Sequence, residues 1–324
     1  MISIVCPFYN EERAIAAFFS RLLPVMQRLG EPYELICIND GSRDGTLEAL
    51  LTMRALHPHI RVIDLSRNFG KEAALTAGID AARGDAVIPI DADLQDSPEL
   101  IARLVQQWKR GFEVVLARRA DRRADSWAKR LTALLFYKVH NAISDPPIPE
   151  NVGDFRLMDR KVVDAIKQLP ERRRFMKGIF AWVGFRSTII EYVRDPRCVG
   201  KSRFSGWKLW NFAIEGVTSF STAPLRIWTY LGVAVASLAF IYAGFIVMRT
   251  VIHGVDVPGY ASLLAATLFL GGVQLIGLGV LGEYLGRVYS EAKQRPIYIV
   301  RESYEASKAS WREATTREVE AITQ

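Results

Sequence analysis

The chain has 324 residues, half of them apolar and 24% charged, with a formal net charge of +7. That balance excludes a disordered chain and leaves room for a large core. Three widely spaced cysteines, Cys6, Cys37 and Cys198, exclude a disulfide scaffold and read as free thiols in a reducing compartment.

Ile2–Cys6 reads as a strand stopped by Pro7-Phe8-Tyr9-Asn10-Glu11-Glu12, with a helix following to about Leu29. No leader is expected, because Met1 runs straight into this strand. Tyr33–Ile38 is a second strand, ending in the turn-rich Asn39-Asp40-Gly41-Ser42-Arg43-Asp44-Gly45-Thr46. Arg61–Leu65 is a third, followed by Ser66-Arg67-Asn68-Phe69-Gly70-Lys71 and a helix over Glu72–Ala82. Ala86–Ile90 and Phe112–Ala117 are the fourth and fifth. Short apolar strands alternating with helices predict an α/β fold with a mostly parallel, Rossmann-like sheet. In such sheets ligands bind beyond the carboxyl ends of the strands, where this chain concentrates Asn10, Glu11, Asp40, Asn68, Lys71, Asp91 and Asp93.

The fourth strand runs into Asp91-Ala92-Asp93-Leu94-Gln95-Asp96. Residues i and i+2 of a strand share a face, so Asp91 and Asp93 are expected to converge with no basic residue beside them in sequence. They read either as side chains capping a loop or as ligands for a hard divalent cation, Mg2+ or Mn2+, shared with a substrate's phosphates.

Ile227–Met248 and Val257–Gly282 contain no Asp, Glu, Lys or Arg. As helices they would span roughly 33 and 39 Å, enough for a bilayer core of about 30 Å. Separated only by Arg249–Asp256, they are expected to form a transmembrane hairpin. Lys and Arg cluster on its outer flanks, so both termini are expected on the cytoplasmic side. Trp207, Trp210, Ile214 and Val217 share a helical face in 205–226, which suits a helix lying in the headgroup region or packing on the soluble domain. The domain plan is therefore 1–204 a cytoplasmic α/β domain, 205–226 interfacial, 227–286 membrane (about 227–249 and 257–282), and 287–324 a cytoplasmic tail, which after Tyr298 reads as charged and weakly helical. The net positive charge, with arginine-rich stretches at Arg118–Arg123 and Arg172–Arg174, would also suit nucleic acid. Beside two membrane runs, anionic headgroups and phosphorylated substrates explain it better, and no nucleic-acid partner is expected. Gly282/Gly286 and Ala261/Ala265, spaced four apart, suggest a homo-oligomer packed through the membrane helices.

PFYNEE, NDGSRDGT, RNFGKEAALTAGIDAARGD, DADLQD and GDFRLMDRKVVDAI, in this order, resemble the family 2 glycosyltransferases of GT-A fold. Within that family the chain is most similar to the polyisoprenyl-phosphate glycosyltransferases, which include dolichol-phosphate mannose synthases and bactoprenol glucosyltransferases. The resemblance covers about residues 1–290. It implies that Pro7, Tyr9 and Glu11 line the nucleotide, that Asp40 reads the base edge, and that Lys71 and Asp91 join the nucleotide-sugar contacts. It implies Asp91, Asp93 and Gln95 as cation ligands, with Asp93 and Asp154 catalytic, Asp154 standing where the base is usually placed. Arg119, Arg130, Lys201 and Arg203 match positions expected to face the acceptor phosphate. The implied reaction is inverting transfer of a hexose, first of all glucose from UDP-glucose, to polyprenyl (undecaprenyl) phosphate at a bacterial inner membrane. GDP-mannose or a modified UDP-sugar of aminoarabinose type are alternative donors. A silent scaffold on the same fold would be expected to have broken metal ligands, and here they are intact. A processive polysaccharide synthase would carry a Gln-x-x-Arg-Trp motif, which this sequence lacks.

Overall fold

A computed structural model describes residues 1–120, 152–172, 174, 176–192, 223–253 and 259–305. The strands are β1 (Ile2–Phe8), β2 (Tyr33–Asn39), β3 (Ile60–Leu65), β4 (Ala86–Pro89), β5 (Val114–Arg119), β6 (Val152–Asp159), β7 (Ser187–Tyr192) and β8 (Val300–Tyr304). They form one sheet in the order β7-β5-β6-β4-β1-β2-β3-β8. β1 pairs in parallel with β2 and β4, β2 with β3, and β5 with β7. β6 runs antiparallel between β4 and β5, and β8 runs antiparallel along β3. The expected α/β sheet is thus present, mixed but mostly parallel. Its order reverses at β1 and β4, which opens a crevice beyond their carboxyl ends.

The alternation of side chains along β1 sorts the core into two layers. Ile4, Cys6 and Phe8 face α1 (Glu12–Leu29), α2 (Thr46–Leu56) and α4 (Ile101–Lys109), packing with Phe18, Leu22, Leu50 and Leu104. Val5 faces the opposite layer, with Ala74, Ala77 and Ile79 of α3 (Lys71–Ala81) and Val163 and Ile166 of α5 (Arg160–Gln168). α6 (Met176–Trp182) adds Ile179 and Phe180 to that layer. The third helix sits so close to the sheet that a Cβ on Gly78 would lie 2.2 Å from Val5 Cγ1. Cys6 and Cys37 are buried, free and adjacent in register, and burial pushes both thiols up, in keeping with the expected inert thiols. Cys198 lies outside the described residues.

α7 (Ala223–His253) overruns the first apolar run at both ends and α8 (Tyr260–Ala292) overruns the second at its C-terminal end, so Arg249–His253, expected as part of the loop, is helical. Large apolar side chains such as Ile227, Tyr230, Phe245, Phe269 and Leu275 stand exposed along them. Among the described residues one stretch, Phe269–Ala292, is long and apolar enough by itself to cross a membrane. The interfacial segment expected over 205–226 lies, up to Thr222, outside the described residues.

The tail departs from expectation. Instead of a weak helix, the chain returns after α8 as β8, with Tyr304 opposite Val62 and Glu302 opposite Asp64. Ser66 N donates to Ile299 O at 2.9 Å, and Arg301 Nη1 lies 3.2 Å from Asp64 Oδ2. Arg61, buried under the edge, pairs with Glu34 at 2.9 Å and Glu305 at 3.0 Å. The sequence hides this strand because its side chains are mostly exposed on both faces, so no period-2 pattern marks it.

Candidate active site

The carboxyl ends of β1 and β2 are laced together. Asn10, in the left-handed region at φ 53°, accepts at Oδ1 from Arg43 N at 2.8 Å, and its own N–H donates to Ser42 Oγ at 3.0 Å. Glu11 N donates to Thr46 Oγ1 at 3.0 Å. Pro7, half-buried near the end of β1, and Tyr9, 38% exposed just after it, lie at this edge. The PFYNEE and NDGSRDGT segments thus form one continuous rim.

Asp40 is 2% exposed and turned inward. It accepts from Phe69 N at 2.7 Å, Gly70 N at 3.0 Å and Asn68 Nδ2 at 3.0 Å. Burial raises its carboxyl above the usual range, opposed by those two backbone N–H groups and by Arg67. Its described contacts make it a clamp on the loop leading into α3. Gly41 makes the clamp possible: its φ is +60°, and a Cβ there would lie 2.3 Å from the carbonyl carbon of Arg67.

The clamp fixes the start of α3, whose first residue is Lys71. Its Nζ lies 2.8 Å from Asp91 Oδ2 and 2.7 Å from Asp154 Oδ2. The topology explains the meeting. Antiparallel β6 pairs Met158 with Val87, so its earlier residues, Asp154 among them, run beside the carboxyl end of β4 where Asp91 follows. Asp91 therefore has a basic neighbour, which its place in the sequence does not reveal. Desolvation works against the Lys71 charge, but Asp91 and Asp154 outweigh it and raise its pKa above the ordinary lysine value. The recess raises the Asp91 carboxyl in turn, with Lys71 opposing and Asp154 and Asp96 adding to the rise.

Strand alternation is not what orients Asp91 and Asp93. β4 ends at Pro89, and the two aspartates lie on the turn that follows. That turn is strained: Leu94, buried at 2% exposure, holds φ 55°. Asp93 Oδ1 accepts from Gln95 N at 3.1 Å, while Gln95 Oε1 is buried with no hydrogen-bond partner among the described residues. No group of three His, Cys, Asp or Glu converges among the described residues. The expected ligands Asp91, Asp93 and Gln95 would offer oxygen only: two carboxylates and one orphaned amide oxygen. That chemistry fits a hard divalent cation completed by phosphate oxygens.

Arg119 ends β5 and lies beside the same spot, its Nη2 3.9 Å from where a Cβ of Gly153 would sit. Tyr192, at the end of β7, accepts a hydrogen bond from Arg119 and donates one to Asp96 Oδ1. The tyrosine thus ties an arginine to the turn that carries Asp91 and Asp93. Sequence reading missed this role, and it missed Arg156. Arg156 is 5% exposed, donates to Gly153 O at 2.7 Å and stacks on Phe180 at 4.1 Å, and burial pushes its pKa down to about 10. Its place in GDFR, two residues after Asp154, was the available signal. Arg130, Lys201 and Arg203 lie outside the described residues.

A sheet of this order with carboxylates, lysine and arginine at its switch point defines a GT-A type of enzyme. The model described as Glycosyl transferase family 2 matches residues 3–167, and that described as the GtrB C-terminal hairpin matches residues 223–288. The chain is 58% identical over 299 residues to an uncharacterized glycosyltransferase of Synechocystis sp., covering 92% of this chain and 94% of that one. It is 54% identical over 303 residues to the SfII prophage-derived bactoprenol glucosyl transferase of Shigella flexneri, covering 94% and 98%. Glucosyl-3-phosphoglycerate synthase of Mycobacterium tuberculosis, solved with Mn2+, UDP-glucose and phosphoglyceric acid, is similar in fold, with a TM-score of 0.50 and 19% identity over 67% of this chain and 77% of that one. The chain belongs to glycosyl transferase family 2 and is a glycosyltransferase.

Proposed function

We propose that this enzyme transfers a hexose, first of all glucose from UDP-glucose, to polyprenyl phosphate with inversion. The observation that carries the reading is the pair Asp91 and Asp154, bridged by Lys71 at the switch point and bordered by Arg119. The name of the Shigella flexneri relative supports glucose and a bactoprenol carrier, at near full-length coverage.

Asp91, Asp93 and the Gln95 amide would hold Mg2+ or Mn2+, which supplies Lewis-acid stabilisation of the departing nucleoside diphosphate. The PFYNEE–NDGSRDGT rim, with Pro7, Tyr9 and Glu11, takes the nucleotide, while Asp40 shapes that pocket through the loop it clamps. Arg119 faces the acceptor phosphate, with Arg130, Lys201 and Arg203 as further candidates. A phosphate monoester has its second pKa near 6 and arrives largely as a dianion, so little base catalysis is needed. Asp154 then acts mainly to position the sugar centre, and Lys71 keeps it ionised and oriented. A single in-line displacement turns an α-linked donor into a β-linked lipid-phosphate sugar.

We read α7 and α8 as a pair that crosses the bilayer and returns. Their uncovered apolar side chains suit lipid, and the pairing of β8 with β3 favours both ends on one side, the cytoplasmic side by charge. Donor identity is tested by offering the purified protein radiolabelled UDP- and GDP-sugars with short-chain polyprenyl phosphate. Label from UDP-glucose alone entering the lipid supports the first reading, whereas label from GDP-mannose or an aminoarabinose-type donor replaces the sugar and leaves the reaction class.

A further inference from the structure

The site contains a positive charge of its own where a divalent cation is read to bind. Lys71 Nζ donates to Asp91 Oδ2 at 2.8 Å and to Asp154 Oδ2 at 2.7 Å. We propose that Lys71 is the resident counter-cation of the site: it holds Asp91 and Asp154 together before the donor binds, competes with the divalent cation for Asp91, and withdraws onto Asp154 when cation and nucleotide sugar bind together. This inference rests on the reading of Asp91 and Asp93 as cation ligands.

The geometry favours exchange over a permanent bridge. Lys71 is anchored at its backbone, because Phe69 N and Gly70 N just before it are held by Asp40. Its ammonium ends a flexible four-carbon stem and has three donors, so it can release one carboxylate and keep the other. Its side chain is 44% exposed and that of Asp91 31%, against 17% for Asp154, so the Asp91 contact is the wetter and more readily exchanged. An oxygen accepting from an ammonium at 2.8 Å is not open to a hard cation in the same direction. Cation binding through Asp91 Oδ2, bidentate binding included, therefore requires Lys71 to move, and the diphosphate of the donor supplies the negative charge that offsets the crowding of two cations. The consequence is an enzyme that binds Mn2+ weakly alone and well with a nucleotide.

The test measures Mn2+ binding to full-length protein in detergent, without nucleotide, from the free-Mn2+ paramagnetic resonance signal. Lys71→Met is expected to bind Mn2+ roughly three- to thirtyfold tighter than wild type, the reciprocal of the fraction of time Asp91 is free of the lysine. Lys71→Arg, which keeps the charge, is expected to stay within about twofold. Asp154→Asn, which leaves Lys71 with Asp91 alone, is expected to weaken binding, and that weakening should vanish when Lys71→Met is added. Equal or weaker binding by a folded Lys71→Met protein, its melting checked, overturns the proposal. An Asp154→Asn effect of the same size with and without Lys71 also overturns it, since it leaves only through-space charge. Absence of Mn2+ binding in every variant instead sinks the cation-ligand reading beneath it, so the two failures are distinguishable.

Discussion

Asp91 and Asp154 meet on the ammonium of Lys71 although 63 residues separate them, because β6 runs antiparallel beside β4 and carries Asp154 to its carboxyl end. Each carboxylate accepts from Lys71 at under 3 Å. The energetics and chemistry of the site follow from this triangle.

Asp154→Asn keeps the shape of the side chain and loses the charge that holds Lys71. As a positioning residue its loss should lower kcat about a hundredfold with little change in donor KM. The variant should keep whatever acidic limb, the fall in rate toward low pH, the wild-type pH–rate profile has. Disappearance of such a limb would mean that Asp154 removes a proton and is more than a positioning residue.

Arg119→Ala should raise the KM for polyprenyl phosphate about tenfold while leaving donor KM within about twofold, as for loss of one charge-assisted contact to one substrate. Tyr192→Phe removes the hydroxyl that joins Arg119 to Asp96 and should move acceptor KM the same way by a smaller factor. Steady-state kinetics with each substrate varied in turn checks both; equal changes in the two KM values would show a general disturbance of the fold.

Glu34 and Glu305 contact the same arginine but differ in depth, at 3% and 52% side-chain exposure. Glu34→Ala leaves the buried Arg61 charge with the exposed Glu305 as its carboxylate partner and the Ala81 carbonyl, and also removes the acceptor of Ser3 Oγ and Arg83 N. It should cost about 3–5 kcal/mol in denaturant unfolding. Glu305→Ala should cost at most about 1 kcal/mol, because solvent screens the half-exposed pair.

The β8 anchor should weaken in acid. Partial burial would raise the Glu305 pKa, but Arg61 and Arg83 outweigh that and hold it below the ordinary value. A depressed folded pKa gives stability that is full above the unfolded glutamate value of about 4.3 and is lost as pH falls through the lower folded value. Amide exchange of Val300–Tyr304 should therefore quicken relative to β2 as pH drops below about 4.3, after correction for intrinsic rates. In Glu305→Gln the acceleration should be absent.

Gly41→Ala should destabilise by on the order of 2 kcal/mol, since the position needs φ +60° and offers no room beside Arg67. Thermal melting checks the magnitude. Donor binding should suffer as well, because the displaced loop carries Lys71.

β1 to β5 and the helices ending at Leu29 and over Glu72–Ala82 were legible because each is a short patterned run bounded by turn residues, and the structure keeps those boundaries within two residues. β8 was not legible: Arg301, Glu302 and Ser303 have no apolar face to show, and the strand is held by backbone pairing and by Arg61 and Asp64 from distant parts of the chain. In the site, the residue types at the strand ends announced themselves. Their partnerships did not, since Lys71 lies 20 residues from Asp91 and 83 from Asp154, and only the antiparallel entry of β6 closes those gaps. Asp40 illustrates the converse. Its motif marks it as a nucleotide contact, yet its described hydrogen bonds go to Asn68, Phe69 and Gly70.

The most direct measurement is transfer of label from UDP-[14C]glucose into short-chain polyprenyl phosphate by purified protein with Mg2+ or Mn2+, compared with Asp91→Asn and with chelated enzyme. Labelled lipid is expected from wild type, at least a hundredfold less from Asp91→Asn, and none after chelation until the cation is restored. Undiminished transfer by folded Asp91→Asn, or transfer indifferent to chelation, would contradict the placement of the reaction between Asp91 and Asp154.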